Sequence, residues 1–283
     1  MRINTNINSL AAQEAAANTQ KSLSNSLEKL SSGLRINKAS DDASGLSIAD
    51  KLRTQASSLS QSIANGNSAA ALTQIADKAM AEQSNILDIV KQKLIQAGTA
   101  TTSSEGRGAI GKDITKLLNQ IDNIASQTNY NGLALLQSSH DSKAAGAVMT
   151  FQMGELKSDV ITTNGSVQAN VTGLSLTSLK GAVSGKTISQ ASAQGFMASI
   201  DKALTTLNGW RSDFGSTQNQ LESSLRNMAT ARTNIKAAES VVRDVDYAAE
   251  SANFNKQNII SQAGTYAMSQ ANAIQQNVMR LLQ

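Results

Sequence analysis

Any search for chemistry in this chain begins at His140, the single histidine, which is followed directly by Asp141. A serine–histidine–aspartate relay needs that imidazole aimed at a nucleophile on a rigid scaffold. Nothing nearby supplies one, so His140 reads as a solvated loop histidine. One histidine and no cysteine cannot build a metal motif. The doublet Asp41-Asp42 and the pair Asp244 and Asp246 raise paired-carboxylate chemistry. Glycosidase-type work would place such a pair in an aromatic-lined cleft. With aromatics at 3%, a turn and a solvated helix face are the better readings. The glycines are dispersed, with no phosphate-loop pattern. Asn164-Gly165-Ser166 and Asn170-Val171-Thr172 match the N-glycosylation acceptor, a triplet that arises often by chance. No catalytic, metal-binding or cofactor-binding residue is assigned, no cofactor is expected, and the chain is expected not to be an enzyme.

Composition narrows the remaining classes. Charged residues are only 16%, and the net charge of +4 is carried by scattered Lys and Arg without interleaved aromatics, so no nucleic-acid partner is expected. No run of about 18 apolar residues occurs, so no membrane insertion is expected. The segment Met1-Arg2-Ile3-Asn4-Thr5-Asn6 lacks the apolar core of a signal peptide.

What must position the chain is a set of long helices. The strongest signal is a heptad with Leu207, Phe214, Leu221, Met228, Ile235 and Val242 in one row, and a weaker second row beginning at Trp210. As a helix, Leu207 to Val245 would be about 58 Å long. These residues are the expected central seam. A first helix carries Ile3, Ile7 and Leu10, an alanine-rich middle, then Leu23, Leu27, Leu30 and Leu34. Small, turn-favouring residues break it after Ser31. A second runs through Ile48, Leu52, Leu59 and Ile63 to Leu94, with Gly66 as a weak point. A third, capped near Ser103-Ser104-Glu105, reads Ile110, Ile114, Leu117, Ile121 and Ile124 and ends before a turn at Asn131-Gly132. Val148–Met153 and Asp159–Thr163 read as two short strands joined through Gly154, and Val171–Leu179 as a further β-rich patch. The last helix passes through Ile260, Ala267, Ala271, Ile274, Val278 and Leu281. The fold expected is mainly α: a long antiparallel coiled-coil bundle with a small β-hairpin region.

The three central helices can satisfy one another, but the two terminal ones have narrow stripes and polar backs. Paired together they still leave exposed faces, so by composition they should fray in a lone subunit and order on assembly.

Four stretches then carry a resemblance. Met1-Arg2-Ile3-Asn4-Thr5-Asn6, Leu30-Ser31-Ser32-Gly33-Leu34-Arg35-Ile36-Asn37, Lys38-Ala39-Ser40-Asp41-Asp42-Ala43-Ser44-Gly45-Leu46 and Val242-Arg243-Asp244-Val245-Asp246-Tyr247 closely resemble bacterial flagellin. The similarity spans nearly the whole chain except about 140–190, as in a short form lacking large outer domains. It implies a structural subunit that self-assembles into the hollow helical tube of the flagellar filament, for motility. Residues 1–46 would be an inner-tube helix plus linker, and 47–139 the N-terminal helices of a central bundle. A short β-rich variable region would follow at 140–187, then the bundle's C-terminal helix at 188–240. Residues 241–283 would be a linker and the second inner-tube helix, paired coaxially with the first. Self-assembly in the inner tube would fall to Ile3, Ile7, Leu10, Leu23, Leu27, Leu30, Ile260, Ile274, Val278 and Leu281.

The resemblance also implies partners and a location. The chain would be secreted through the flagellum's own export apparatus, escorted by an export chaperone on its C-terminal helix. It would meet hook–filament junction and filament cap proteins, and reside in the extracellular filament. Zero proline and zero cysteine suit transit, with no slow isomerisation and no crosslink. In flagellins that activate the host innate receptor the matching helix carries arginines, whereas here the region offers Asp88, Val90, Lys91 and Lys93, with Asp113 beyond. A weak receptor response is expected. The rival reading is a secreted coiled-coil adaptor or effector that binds partner helices.

Overall fold

The computed structural model describes residues 6–139, 144–146, 148–163, 167–184 and 188–281, without the side chains of 275 and 277–281. Ile3, His140, Asp141 and the triplet at 164–166 lie outside the described residues, as do the side chains of Val278 and Leu281. In chain order the elements are α1 (Ile7–Ser32), α2 (Ala43–Ala97), α3 (Ser104–Gln127), β1 (Asn129–Tyr130) and β2 (Leu133–Ala134). Then follow β3 (Thr150–Gln152), β4 (Val160–Thr162), α4 (Thr177–Val183), α5 (Gln190–Arg243) and α6 (Tyr247–Leu281). The chain divides into two compact units: Met1–Ala56 with Thr233–Gln283, and Ser57–Arg232. Both α2 and α5 contribute residues to each.

Local chemistry starts and stops these helices. The Asn6 side chain accepts from Ser9 N–H at 3.1 Å to cap α1, and Gly33 ends it in the left-handed conformation at φ 73°. Asp42 accepts from Gly45 N–H at 2.8 Å at the start of α2, and Ser103 caps α3 through Gly106 N–H at 3.1 Å. α2 runs through Gly66 without a break. A Cβ there would stand 2.7 Å from Met153 Cε and 2.8 Å from Leu225 Cδ2, so the glycine admits the hairpin and α5 to the helix surface.

The unit at 57–232 has a conventional apolar core. Met80, Leu87, Val90 and Leu94 of α2, Ile114, Leu118 and Ile121 of α3, and Ile200 and Leu207 of α5 are all fully buried. Each such Leu or Ile contributes roughly 1.5–3 kcal/mol. Within the heptad row, Leu207, Phe214, Leu221 and Met228 are buried, whereas Trp210, Ile235 and Val242 are half-buried. Fully buried Gln83 donates from Nε2 to the carbonyls of Ala169 at 2.7 Å and Ile121 at 3.2 Å, tying the 167–171 segment to α3.

The strands at 148–163 form one antiparallel pair, with Phe151 opposite Ile161. Two expectations for the rest of this region need correction. A second hairpin, β1–β2, precedes it, turned by Asn131 and Gly132 at φ 51° and 81°. The segment Val171–Leu179 is not β: it is a turn leading into α4. The Asn170 side chain accepts from Gly173 N–H at 2.9 Å, closing the turn, and Val171, Leu174, Leu176, Leu179 and Val183 bury into the core at irregular, helix-like intervals.

Candidate interaction surface

In the terminal unit, α1 and α6 pack antiparallel. Asn6 Nδ2 donates to Ala271 O at 3.2 Å at one end, and Tyr247 OH donates to Leu30 O at 3.1 Å at the other. Beside the first of these, Ser9 Oγ donates to Asn272 Oδ1 at 2.9 Å. The α1 residues withdrawn from solvent include Ser9, Ala12, Ala16 and Thr19, then Leu23, Ser26 and Leu30. Those of α6 include Glu250, Phe254 and Gln257, then Ser261, Gly264, Met268 and Ala271. Both sets step by three and four, an a/d seam built mostly from small or polar residues. Both helices are continuous, α1 over Ile7–Ser32 and α6 over Tyr247–Leu281, and this seam and its end bonds join them.

Several large aliphatic residues are turned the other way. Ile7 is 64% exposed, Leu10 55%, Leu27 56% and Ile274 56%, so the outer faces hold apolar bulk that the seam, apart from Leu23, Leu30, Phe254 and Met268, lacks. Ile259 and Tyr266, seven residues apart, are also exposed, as is Ile260. Of the residues expected to serve inner-tube assembly, Leu23 and Leu30 therefore face the intramolecular seam. Ile7, Leu10, Leu27, Ile260 and Ile274 are left outward. The stripe Leu23, Leu27, Leu30 is thus split between two faces.

Where α1 ends, the chain is pinned to the end of α5. Leu34 pairs with Asp244 in an antiparallel bridge, Arg35 N–H donates to Arg243 O at 2.7 Å, and Val245 N–H to Gly33 O at 3.0 Å. Arg35 Nη2 donates to Val242 O at 2.6 Å. Residues 34–42 are an ordered turn leading into α2: Ile36 is buried, and Asp41 Oδ2 accepts from the backbone N–H groups of Lys38 at 3.0 Å and Asn37 at 3.1 Å. Those two bonds hold the Asp41 carboxyl below the usual carboxylate range. Lys38 Nζ, 2.5 Å from Glu28 Oε2, is raised by that hydrogen-bonded partner. Sequence reading missed this clasp; the glycine just past the helix end was its only trace.

The receptor-equivalent residues lie in the central unit. Asp88 is exposed, but Val90 is fully buried, so position 90 presents nothing to a partner. Lys91 is paired with Asp201 of α5 at 2.5 Å, and Lys93 with Asp113 of α3 at 3.3 Å. Asn170 of the second glycosylation triplet is fully buried, with its amide donated to Gln137 Oε1 at 3.2 Å, so it is no acceptor in the folded chain. Among the described residues no group of three or more His, Asp or Glu could hold a metal ion, and no helix is long and apolar enough to cross a membrane.

The terminal helices thus close on each other through the seam and leave Ile7, Leu10, Leu27, Ile260 and Ile274 outward. Residues 3–141 match the family model of the bacterial flagellin N-terminal helical region, and 197–282 that of the C-terminal helical region. The chain belongs to the bacterial flagellin family. It is 32% identical to the flagellar filament 30.7 kDa core protein of Treponema maltophilum over the full length of both chains. It is 33% identical to the flagellin of Bacillus subtilis, again with both fully covered. A flagellar hook-associated protein from Vibrio parahaemolyticus shares the fold, with a TM-score of 0.57 at 11% identity, covering 72% of this chain and 99% of that one. As a flagellin the chain is a structural subunit of the flagellar filament, which it forms by self-association.

Proposed function

We propose that this flagellin builds a hollow tube whose innermost layer is the α1–α6 pair, with the central unit in the next layer. The observation that carries the reading is the inversion on that pair, with small residues inside and Ile7, Leu10, Leu27, Ile260 and Ile274 outside. An outward apolar face on every subunit is buried only by neighbouring copies, and in an open helical array each contact repeats along the polymer. The protein does this work by packing, without catalysis. The subunit is secreted through the flagellum's own export apparatus, escorted by a chaperone that covers α6, and meets junction and cap proteins at the filament's two ends. The exposed side of α6, with Ile259, Ile260 and Tyr266, supports that escort role.

Negative-stain microscopy of the purified full chain after salt seeding tests the tube. Long tubes of uniform diameter are expected; discrete oligomers would overturn it in favour of a helix-binding adaptor. The host innate receptor should respond weakly, because Val90 is buried and both nearby lysines are paired within the subunit. A reporter response equal to that of an activating flagellin would contradict this.

A further inference from the structure

The middle of the seam between α1 and α6 selects its alignment only weakly by size. Ala12, Ala16, Ser261 and Gly264 are all small, and the larger seam residues, Leu23, Leu30, Phe254 and Met268, lie towards its ends and leave this stretch without a size match of its own. In seams of this kind a buried polar residue chooses the register, because a wrong alignment strands it. A polar group centred on one buried residue is present near one end, with Glu250 half-buried and Asn253 exposed beside it. Ser26, only 2% exposed, donates its hydroxyl to Glu250 Oε1. Asn253 Nδ2 donates to the same Oε1 at 3.3 Å and to Ser26 Oγ at 3.4 Å.

We propose that the Ser26–Glu250–Asn253 layer sets the register of α1 on α6. A slide in one direction carries Glu250 level with Thr19 and Leu23, where the Thr19 hydroxyl is already donated to Ala15 O at 2.9 Å. A slide in the other direction carries it past the helix end at Gly33. In both cases the carboxylate loses its donor on α1. Seven residues of helix are about 10 Å, so a slid pair would also shift Ile260 and Ile274 along the axis relative to the exposed residues of α1. That consequence for filaments rests on the tube reading; the register itself is a property of the single subunit. Glu250, Ser26 and Asn253 act as positioning residues.

Because the chain has no cysteine, crosslinks report the register directly. A Cβ at Gly264 would lie 4.0 Å from Ala16 Cβ, within disulfide range, so Ala16→Cys with Gly264→Cys reports the observed alignment. Ala16→Cys with Ala271→Cys reports a seam slid by seven, since in the observed alignment those positions are about 10 Å apart along the axis. Each pair is oxidised in dilute full-length protein and read on non-reducing gels, with circular dichroism on the same samples to show that the helices persist. With Glu250 intact, the first pair should crosslink and the second should not. Glu250→Leu should abolish that preference without loss of helix, and Glu250→Gln, which keeps the acceptor oxygen, should retain it. Ser26→Ala, which removes only the donor, should shift the preference as the leucine does. If Glu250→Leu and Ser26→Ala both leave the first crosslink exclusive, the proposal is overturned, and the Leu34–Asp244 bridge alone sets the register. Loss of the preference in Glu250→Gln would overturn it equally. Sedimentation of the uncrosslinked variants separates this from the tube reading: a slid register that still forms filaments counts against that reading, not against the register assignment.

Discussion

The central unit and the terminal unit use the same element, a long amphipathic helix, in opposite senses. At 57–232 most large side chains of α2, α3 and α5 point inward: Leu87, Leu94, Ile114, Leu118 and Leu207 are fully buried, while Ile75, Ile89 and Ile95 of α2 are exposed. In the α1–α6 pair the inward residues are mostly Ala, Ser, Gly and Thr, while Ile7, Leu10, Leu27 and Ile274 stay outside. A helix that buries its bulk is finished as a monomer. A helix that pairs largely through small residues and keeps its bulk outside leaves an apolar face, which we assign to other copies. The contrast teaches that apolar periodicity alone does not say which contact is intramolecular.

Substitutions can break this contrast in graded ways. Leu118→Ala should cost the central unit about 2–5 kcal/mol, because it opens a cavity among fully buried neighbours. Thermal and denaturant unfolding measure it, and a loss below about 1 kcal/mol would mean the core there is loose. Gly33→Ala should lower the terminal unit's stability by roughly 1 kcal/mol or more. The residue sits at φ 73°, and its Cβ would meet Tyr247 OH at 3.2 Å. Amide exchange across α1 and α6 should quicken, with the central unit unchanged. The glycines of α2 and α5 sharpen the point. Gly209, with nothing within 4 Å, should gain roughly 0.5–1 kcal/mol on replacement by Ala through helix propensity. Gly66→Ala should instead lose stability, because Met153 and Leu225 must give way. Equal melting shifts in the two variants would contradict the assigned crossing at Gly66.

The smallest effect is expected at Asp41. Its folded carboxyl is held below the unfolded value by the Lys38 and Asn37 N–H groups. Its contribution is therefore complete above the unfolded pKa of about 3.9 and fades as pH falls through the lowered folded value. Exchange protection of those two amides should follow the same course, and Asp41→Ala should remove it at every pH.

Much of the fold was legible because the responsible signals are local. The heptad from Leu207 announced α5, Ser103 its capped neighbour α3, and Asn131-Gly132 a turn. The α4 region was misread because Val171, Thr172 and Leu174 favour strands, whereas the deciding contact is the Asn170 side chain folding back on its own turn. The terminal seam was harder for a different reason. Ala12, Ala16, Ser261 and Gly264 leave no hydropathy trace, so a search by large apolar residues finds the outer stripe and misses the inner one. Leu23, Leu27 and Leu30 read as a single stripe, yet Leu27 belongs to the outer face. The Leu34–Asp244 clasp joins segments that no local pattern could connect.

The central claim is that the outward aliphatic face of the terminal pair serves other copies and not the subunit's own fold. Ile260→Asp tests it most directly, because Ile260 is 42% exposed on α6 and lies outside the small-residue seam. Sedimentation after salt seeding and a melting curve should be taken on the same sample. The account predicts that filaments no longer pellet while the central unit melts as in the unsubstituted chain. Filaments that still pellet, or a central unit that melts well below it, would contradict the account.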